Sequence, residues 1–438
     1  MSVPDVPAIL QALTDALADP QVAALVIESE LEPVAGQGTV IQPPTYASAD
    51  RSAGPTYAVY EGFAPERDAQ GWFSSSRRGP DGRAHSVPAV VVDAVGSQAN
   101  RSEEALWQAR HTIGGLPGIV VAGTNLSDEA IAAILTAGKL PLDGVAEIRR
   151  LLEQASISTW TASHRHVDAW FRYAQEDGAD VAAWVRDGEL RHLIAGANST
   201  RDATTAFTYF VNALVFGFWL SSGVVERNRQ ARIYSSEIVG YDARPASAGA
   251  SKYERLPVSN RLETADTADG FSSTPKASVA KGKQPSTRGF GMIPGSATPK
   301  GFVCEAILRR ASVSFSALRA IRFGDDGATK TQAAGAVLTS LALLGHHLSS
   351  LQTNLRSGCD LVTVETHVGL RRAGVRAPEE VSVPLATDTL TELVRLSLRQ
   401  AADAGLEFAE PIQTTMSASE VRQVVLSAAL GLQAGDES

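Results

Sequence analysis

The sequence predicts a mixed α/β fold, because strand and helix patterns alternate along most of the chain. In the clearest unit, Val87–Val95 is a run of Val and Ala typical of a strand buried on both faces, and a helix follows over Ser97–Arg110. Hydrophobic residues make up 44% and charged residues 20% of the 438 residues, which excludes wholesale disorder. At about 150 residues per domain, this length allows two or three domains.

The remaining elements follow from hydrophobic periodicity and from the residues at element boundaries. A loop rich in Gly and Pro is expected from Pro33 to Gly62, and Ser127 is expected to cap the helix that it opens. Helices are expected over Pro7–Ala18, Ser127–Ala137, Val167–Ala174, Asp202–Phe210, Thr329–Leu351, Leu385–Ala404 and Ser417–Leu432. Further strands are expected over Ala24–Leu31, Ala213–Leu220, Ala231–Tyr241 and Leu361–Val368.

Several classes of protein lack their signatures in this chain. Cys304 and Cys359 are too few for a disulfide framework or for a four-ligand zinc site without many histidines. The chain start lacks a secretory signal, and the longest apolar stretch, Ala206–Leu220, is short of the ~20 residues that cross a bilayer. We therefore expect a cytoplasmic protein with no membrane span. Because no Walker loop, Gly-x-Ser-x-Gly elbow or Gly-x-Gly-x-x-Gly turn is present, we also expect no cofactor.

The charge is distributed unevenly along the chain. The net charge is −9, but the segment from Arg227 to Arg310 holds fourteen basic and seven acidic residues, a net +7. Screening limits exposed charges to a reach of about 8 Å at physiological salt, so this local excess decides what a nearby phosphate experiences. A polyanion could bind there, although a solvated basic loop that balances an acidic body is the alternative.

The composition changes sharply at Ser259–Lys300. Aliphatic side chains nearly vanish, Phe271 and Phe290 stand alone, and five of the seven lysines lie between Lys252 and Lys300. This pattern indicates a mobile insertion or an extended hairpin.

The segment Ser97–Glu104 lies where a buried strand ends and a helix begins. Free backbone amides there, together with Gln98, Asn100 and Arg101, favour binding of an anionic oxygen and predict a phosphate-binding site. In the alternative, Ser97 only caps the helix and Arg101 pairs with a neighbouring glutamate.

The segment Ser163–Asp168 invites a catalytic interpretation. His164 and Asp168 are four residues apart and could form an oriented general base on one helical face. Arg165 and Arg172 are seven apart and also share a face, which suits contact with RNA. A metal site has no obvious third ligand, and a capped helix with two surface arginines is the structural alternative.

Three further patterns have weaker implications. Arg288–Met292 resembles the opening of an RNA-recognition octapeptide in which an aromatic ring stacks on a base, with an ordinary loop as the alternative. Phe323–Gly327 is interpreted as a turn, and His346 and His347 as part of an apolar helix rather than as ligands.

In their order and spacing, a set of motifs resembles the backbone subunit of the type I-G (formerly I-U) CRISPR effector complex, within the RAMP superfamily. The resemblance runs through most of the chain and is less distinctive after Gly327. The matching segments are Pro43–Ala47, Asp93–Glu104 with Ser97-Gln98-Ala99-Asn100-Arg101, His164-Arg165 with Asp168-Ala169, Leu214–Gly217 with Ser221-Ser222-Gly223, Ser236–Gly240 and Leu318–Phe323. The chain departs from the pattern at Ala94, Gly96, Ser163, Leu220 and Ser251–Glu254.

The resemblance implies a ferredoxin-like (RRM-like) palm with finger and thumb insertions. The palm would span 1–258 and 301–438, and 259–300 would be a basic thumb with Phe271, Phe290 or Met292 as wedges. Copies would assemble head to tail along a guide RNA without cutting it, holding phosphates and leaving bases to pair with target DNA. Other implied partners are a large subunit, a fused guide-processing subunit and a recruited helicase-nuclease.

The expected RNA-binding residues combine these motifs with the basic segment, because a subunit that reads no sequence contacts phosphate and 2′-OH groups. They are Gln98, Asn100, Arg101, His164, Arg165, Arg172, Ser222, Arg227, Arg229, Arg232, Lys252, Arg255, Arg288 and Phe290. Two alternatives stay open: a guide-processing ribonuclease that uses His164 and Arg165, and a protein-binding adaptor that binds no nucleic acid.

Overall fold

The computed structural model describes residues 5–47, 56–142, 144–175, 188–220, 229–248, 256, 258–259, 261–267, 270–280, 282–290, 298–324 and 327–437. The chain divides into two units. The first comprises residues 1–122, 156–244 and 301–417, and the second comprises 123–155, 245–300 and 418–438. The sequence predicts a thumb bounded by residues 258 and 300, and this division into palm and thumb stays a prediction.

The elements alternate between strand and helix, as expected. The strands are β1 Val22–Pro33, β2 Thr45–Tyr46, β3 Thr56–Tyr57, β4 Val59–Phe63, β5 Pro65–Glu66, β6 Ser75–Ser76, β7 Ser86–Asp93, β8 Ile119–Ala122, β9 Ser156–Ser158, β10 Phe218–Trp219, β11 Arg229–Gln230, β12 Tyr234–Tyr241, β13 Arg244–Ala248, β14 Leu262–Thr267, β15 Gly270–Pro275, β16 Thr298–Val303, β17 Ala306–Ser314, β18 Asn354–Arg356, β19 Cys359–Arg372, β20 Glu379–Glu380 and β21 Ile412–Thr415. The α-helices are α1 Val6–Ala18, α2 Val95–Gln108, α3 Arg110–Ile113, α4 Asp128–Ala137, α5 Val145–Gln154, α6 Ala169–Arg172, α7 Glu189–Ala197, α8 Thr204–Tyr209, α9 Val211–Phe216, α10 Phe315–Arg319, α11 Gly327–Ser350, α12 Thr387–Asp403 and α13 Ala418–Glu437. Short 3₁₀ helices span Arg165–Val167 and Pro285–Arg288.

An antiparallel sheet of eight strands organises the first unit. Its order is β18-β19-β1-β17-β12-β7-β4, with β20 paired to β19. In the register, Ile27 of β1 lies opposite Ala311 of β17 on one side and Val368 of β19 on the other. Six of the elements occur along the chain in the order β-α-β-β-α-β, with other elements between them, namely β1, α2, β12, β17, α11 and β19. In the sheet their four strands lie side by side as β19-β1-β17-β12, that is, fourth, first, third and second in chain order. This arrangement confirms the predicted ferredoxin-like α+β fold.

Helices cover one face of this sheet. The helix α11 packs against α1, α2 and α12, and α2 packs against β12. Most of α11 is buried from Ala334 to His347, so both histidines of this helix lie in the interior. Gly335 allows close approach, because a Cβ atom there would lie 2.2 Å from Leu17. A small sheet in the same unit places β8 between β9 and β21, with β21 parallel to β8.

The second unit contains helices and a hairpin. The helices α4, α5 and α13 pack on one another, and Ser127 caps α4 by accepting a hydrogen bond from the Ala130 amide at 3.3 Å. That cap confirms the prediction for this helix. The strands β14 and β15 pair in register, with Leu262 opposite Pro275 and Asp266 opposite Phe271. The expectation of an extended hairpin is therefore correct for this part of the basic segment.

Three assignments made from the sequence are wrong. The expected strand over Ala213–Leu220 is the end of helix α9 followed by the short strand β10, because Ala213–Phe218 is buried throughout and such an apolar run has no period that separates strand from helix. The expected loop from Pro33 to Gly62 contains the edge strand β4, whose apolar side chains are exposed and do not alternate. The expected helix over Val167–Ala174 is split, since Asp168 ends a 3₁₀ turn and caps α6.

Candidate nucleic-acid interface

The start of helix α2 is tied to the end of strand β7 by buried hydrogen bonds. Gln98 and Arg101 both donate to the Asp93 carboxylate, Arg101 through Nε at 3.0 Å. Gln98 is 2% exposed, and its Oε1 accepts from the hydroxyl of Ser236 at 3.1 Å. Arg309, itself buried, donates to the same hydroxyl at 3.1 Å. Both polar atoms of the Gln98 amide are thus bonded inside the protein.

A second buried network centres on Glu103, one turn further along α2. Arg165 binds it with two parallel bonds, Nε to Oε1 at 2.8 Å and Nη2 to Oε2 at 2.6 Å. The side-chain amide of Asn212 donates to Oε1 at 2.9 Å and to the Thr159 carbonyl at 2.7 Å. Complete burial raises the pKa of Glu103, and the Arg165 guanidinium and Asn212 amide oppose that rise. This network joins α2 to the segment around Arg165.

Arg165 also reaches the strand pair β10–β11. Its Nη1 donates to the Gly217 carbonyl at 2.6 Å, and its guanidinium lies 5.7 Å from the Phe216 ring centre. Arg165 itself has a φ of +55°, a left-handed conformation that surrounding contacts must hold in place. The side chain is 10% exposed. The position of Arg165 therefore fits a structural link better than a surface contact.

The strands β10 and β11 form a small exposed hairpin base. Phe218 lies opposite Gln230, and Trp219 lies opposite Arg229. Trp219 is 67% exposed, and Arg229 and Arg232 are also exposed. Among the ion pairs of the described residues, none involves either arginine. Within the described part of the chain, Arg229 thus lies opposite an exposed indole without an acidic partner, and Arg232, just past β11, also has none.

His164 lies at the surface next to Arg165. Its side chain is 66% exposed, and its Nδ1 lies 3.3 Å from Oδ2 of Asp168. The expected pairing of these two residues is present, but a turn rather than a helical face creates it. In the described part of the chain, no group of three His, Cys, Asp or Glu side chains could hold a metal ion.

In the second unit, an aromatic and cationic cluster lies on the β14–β15 hairpin. The rings of Phe271 and Phe290 are 5.6 Å apart, and the Arg288 guanidinium lies 5.2 Å from the Phe271 ring centre. Arg288 also pairs with Asp266 at 2.7 Å. Both phenylalanines remain about two-fifths exposed, at 43% and 40%. These contacts pre-form a small aromatic surface at the expected thumb.

The expected RNA-binding residues occupy three kinds of position. Gln98 and Arg165 are buried and bonded within the protein, so their positions do not support direct contact with RNA. Arg101 is 29% exposed and is bonded to Asp93 and to the Leu355 carbonyl. The remaining side chains reach the surface at least in part, and they are Asn100, His164, Arg172, Arg229, Arg232, Arg288 and Phe290. Ser222, Arg227, Lys252 and Arg255 lie outside the described residues.

A chain of contacts joins several of these positions in the first unit. Arg101 and Glu103 lie on α2, Arg165 binds Glu103, and the same arginine holds Gly217 ahead of the hairpin that carries Arg229. Local sequence patterns do not reveal the ion pair of Glu103, because its partner Arg165 is 62 residues away. They also miss Trp219, because this residue lies within an apolar run that predicts a buried element.

The family described as CRISPR-associated protein GSU0053 matches residues 25–245, just over half of the chain. The chain belongs to this family. The matched range includes most of β1, all of α2, the network around Glu103 and the β10–β11 hairpin base, whereas Arg309 of the first network lies outside it. No curated protein matches the chain. Among the described helices, none combines the length and apolar composition needed to traverse a bilayer.

Proposed function

We propose that this protein is a non-catalytic backbone subunit that binds guide RNA in a CRISPR effector complex of type I-G. In this role, further copies assemble along the guide, and the partners are target DNA paired to the guide, a large subunit, a fused guide-processing subunit and a helicase-nuclease. The family match over residues 25–245 is the observation that carries the proposal. The ferredoxin-like sheet supports it, as do Arg229 and Arg232, which have no acidic partner among the described residues.

The physical basis is recognition of the ribose-phosphate backbone. Arg229 and Arg232 offer guanidinium groups with no acidic partner in the described part of the chain, and Asn100 offers an exposed amide on α2. Such groups bind phosphate and 2′-OH without reading base identity, which a subunit with a variable guide requires. In the second unit, Arg288, which pairs with Asp266, adds a guanidinium group at the proposed thumb, and Phe290 adds a ring on which a base can stack.

The salt dependence of RNA affinity tests this proposal. Binding of a single-stranded RNA should weaken linearly with the logarithm of salt concentration, because each neutralised phosphate releases counterions. The double variant R229A/R232A should reduce the slope of that plot by about 1.4, at about 0.7 per phosphate contact on a single strand. Arg83→Ala, which removes an arginine that is 88% exposed and faces Asp81, is the matched control and should leave the slope unchanged. A slope near zero for the unmodified protein contradicts the proposal.

One observation favours a second candidate, a guide-processing ribonuclease. His164 is exposed and paired with Asp168, an arrangement that suits a general base. Incubation with a repeat-containing transcript separates the two functions. We expect intact RNA in a stable complex, whereas specific cleavage that His164→Ala abolishes would establish the ribonuclease. A protein-binding adaptor would instead purify free of nucleic acid, as its absorbance ratio at 260 and 280 nm would show.

A further inference from the structure

Trp219 is unusually exposed for its chemistry. An indole ring is among the largest apolar side chains and is usually well buried, yet Trp219 is 67% exposed at the start of the hairpin. Among the ring contacts of the described residues, none involves Trp219. Within the described part of the chain, the ring is therefore exposed and contacts no other ring or guanidinium group.

The nearest cross-strand neighbour of Trp219 is a cation. Trp219 and Arg229 are direct partners in the antiparallel pair, so their side chains leave the same face with Cβ atoms about 5 Å apart. Arg232 is exposed three residues further along. An aromatic ring beside a guanidinium group matches single-stranded nucleic acid, whose bases stack and whose phosphates carry the opposite charge.

The base of the hairpin is held in a fixed position. Gly217 has a φ of +78°, and a Cβ atom there would lie 2.7 Å from the Gln230 carbonyl oxygen. The Gly217 carbonyl in turn accepts from buried Arg165, which Glu103 fixes. A pre-positioned aromatic surface loses less entropy when a ligand binds than a mobile one.

We propose that Trp219 is a stacking platform for a base of the bound guide RNA, with the Arg229 guanidinium on the neighbouring phosphate. This inference rests on the proposed function and adds to it a contact with the base face. Stacking is tolerant of sequence because every base has a π-face, so such a contact is compatible with a variable guide. A protein partner on the same surface would need acidic groups to match Arg229 and Arg232.

Affinity for RNA with and without bases tests the stacking contact. The probes are a single-stranded RNA oligonucleotide, the DNA of the same sequence, and an RNA with several abasic sites. Trp219→Ala should weaken binding of the intact RNA by about 5- to 150-fold, the range measured for loss of one stacked base. Trp219→Phe should retain most of the affinity. Leu351→Ala is the control, because it truncates another apolar side chain of similar exposure, 64%, and it should leave RNA affinity unchanged.

The abasic RNA separates stacking from other effects. It should bind the unmodified protein less tightly than intact RNA, and Trp219→Ala should remove most of that difference. Equal affinity of the unmodified protein and Trp219→Ala for intact RNA overturns the stacking contact and leaves the proposed function standing. A loss confined to DNA overturns the assignment to the guide, and a loss of self-association with unchanged RNA affinity identifies a protein interface instead. No RNA binding by the unmodified protein overturns the proposed function itself.

Discussion

Glu103→Ala should lower the free energy of unfolding by about 3–5 kcal/mol, the range for breaking a buried ion pair from one side. Glu103 is 2% exposed and accepts three hydrogen bonds, two from Arg165 and one from Asn212. Removing the carboxylate leaves the Arg165 charge buried without compensation, and that penalty exceeds the energy of any one bond. Urea denaturation followed by circular dichroism measures the change.

Two further variants identify the cause of this loss. Glu104→Ala removes the neighbouring exposed glutamate, which accepts a hydrogen bond from Gln108, and should change stability by less than about 0.5 kcal/mol. The double variant E103L/R165M replaces the pair with apolar side chains and should be more stable than Glu103→Ala, because no buried charge is left unpaired. A loss below 1 kcal/mol for Glu103→Ala would contradict a structural role for the pair.

Gly217→Ala should destabilise the protein by about 2–4 kcal/mol and also weaken RNA binding. A left-handed φ costs a residue with a Cβ about 1–2 kcal/mol, and overpacking typically adds about 1–3 kcal/mol. The added methyl group would lie 2.7 Å from the Gln230 carbonyl oxygen and 2.9 Å from the Arg232 amide nitrogen. Because these backbone atoms carry the neighbouring strand, the hairpin base must move and Trp219 and Arg229 move with it.

The matched control for this variant is a glycine with a similar φ and free space. Gly374 has a φ of +75° with no atom within 4 Å of an added Cβ, so Gly374→Ala should cost only the conformational strain. RNA affinity, measured at a temperature where both variants are folded, should fall for Gly217→Ala and stay unchanged for Gly374→Ala. Equal effects of the two substitutions would show that the hairpin position is unimportant for binding.

Local patterns predicted much of the fold. The strand ending at Asp93 and the helix after it were evident from a Val-rich run and a following amphipathic segment. The composition of the basic segment indicated a mobile insertion or an extended hairpin, and part of it is the β14–β15 hairpin. The prediction of a strand over Ala213–Leu220 was wrong because Ala213–Phe218 is buried throughout. Such burial removes the periodicity that distinguishes helix from strand.

The candidate site was harder to predict, because the residue types that bind phosphate are also those that satisfy buried polar groups. Gln98 and Arg165 were expected on the RNA, and within the protein Gln98 is bonded to Asp93 and Ser236 and Arg165 to Glu103. Their contact with RNA stays a prediction. Their partners lie on other elements, so only the fold brings them together. Trp219 is the opposite case, because its apolar sequence neighbours predict burial whereas its side chain is exposed.

Photo-crosslinking tests most directly the claim that the hairpin base, held by Glu103 and Arg165, contacts the guide strand. The purified protein would be irradiated with a 4-thiouridine RNA, and the crosslinked peptides would be identified by mass spectrometry. We predict a crosslink to the peptide that contains Trp219 or to the one that contains Arg229, and its loss in Trp219→Ala. Crosslinks confined to peptides of α4, α5 and α13 would contradict the account.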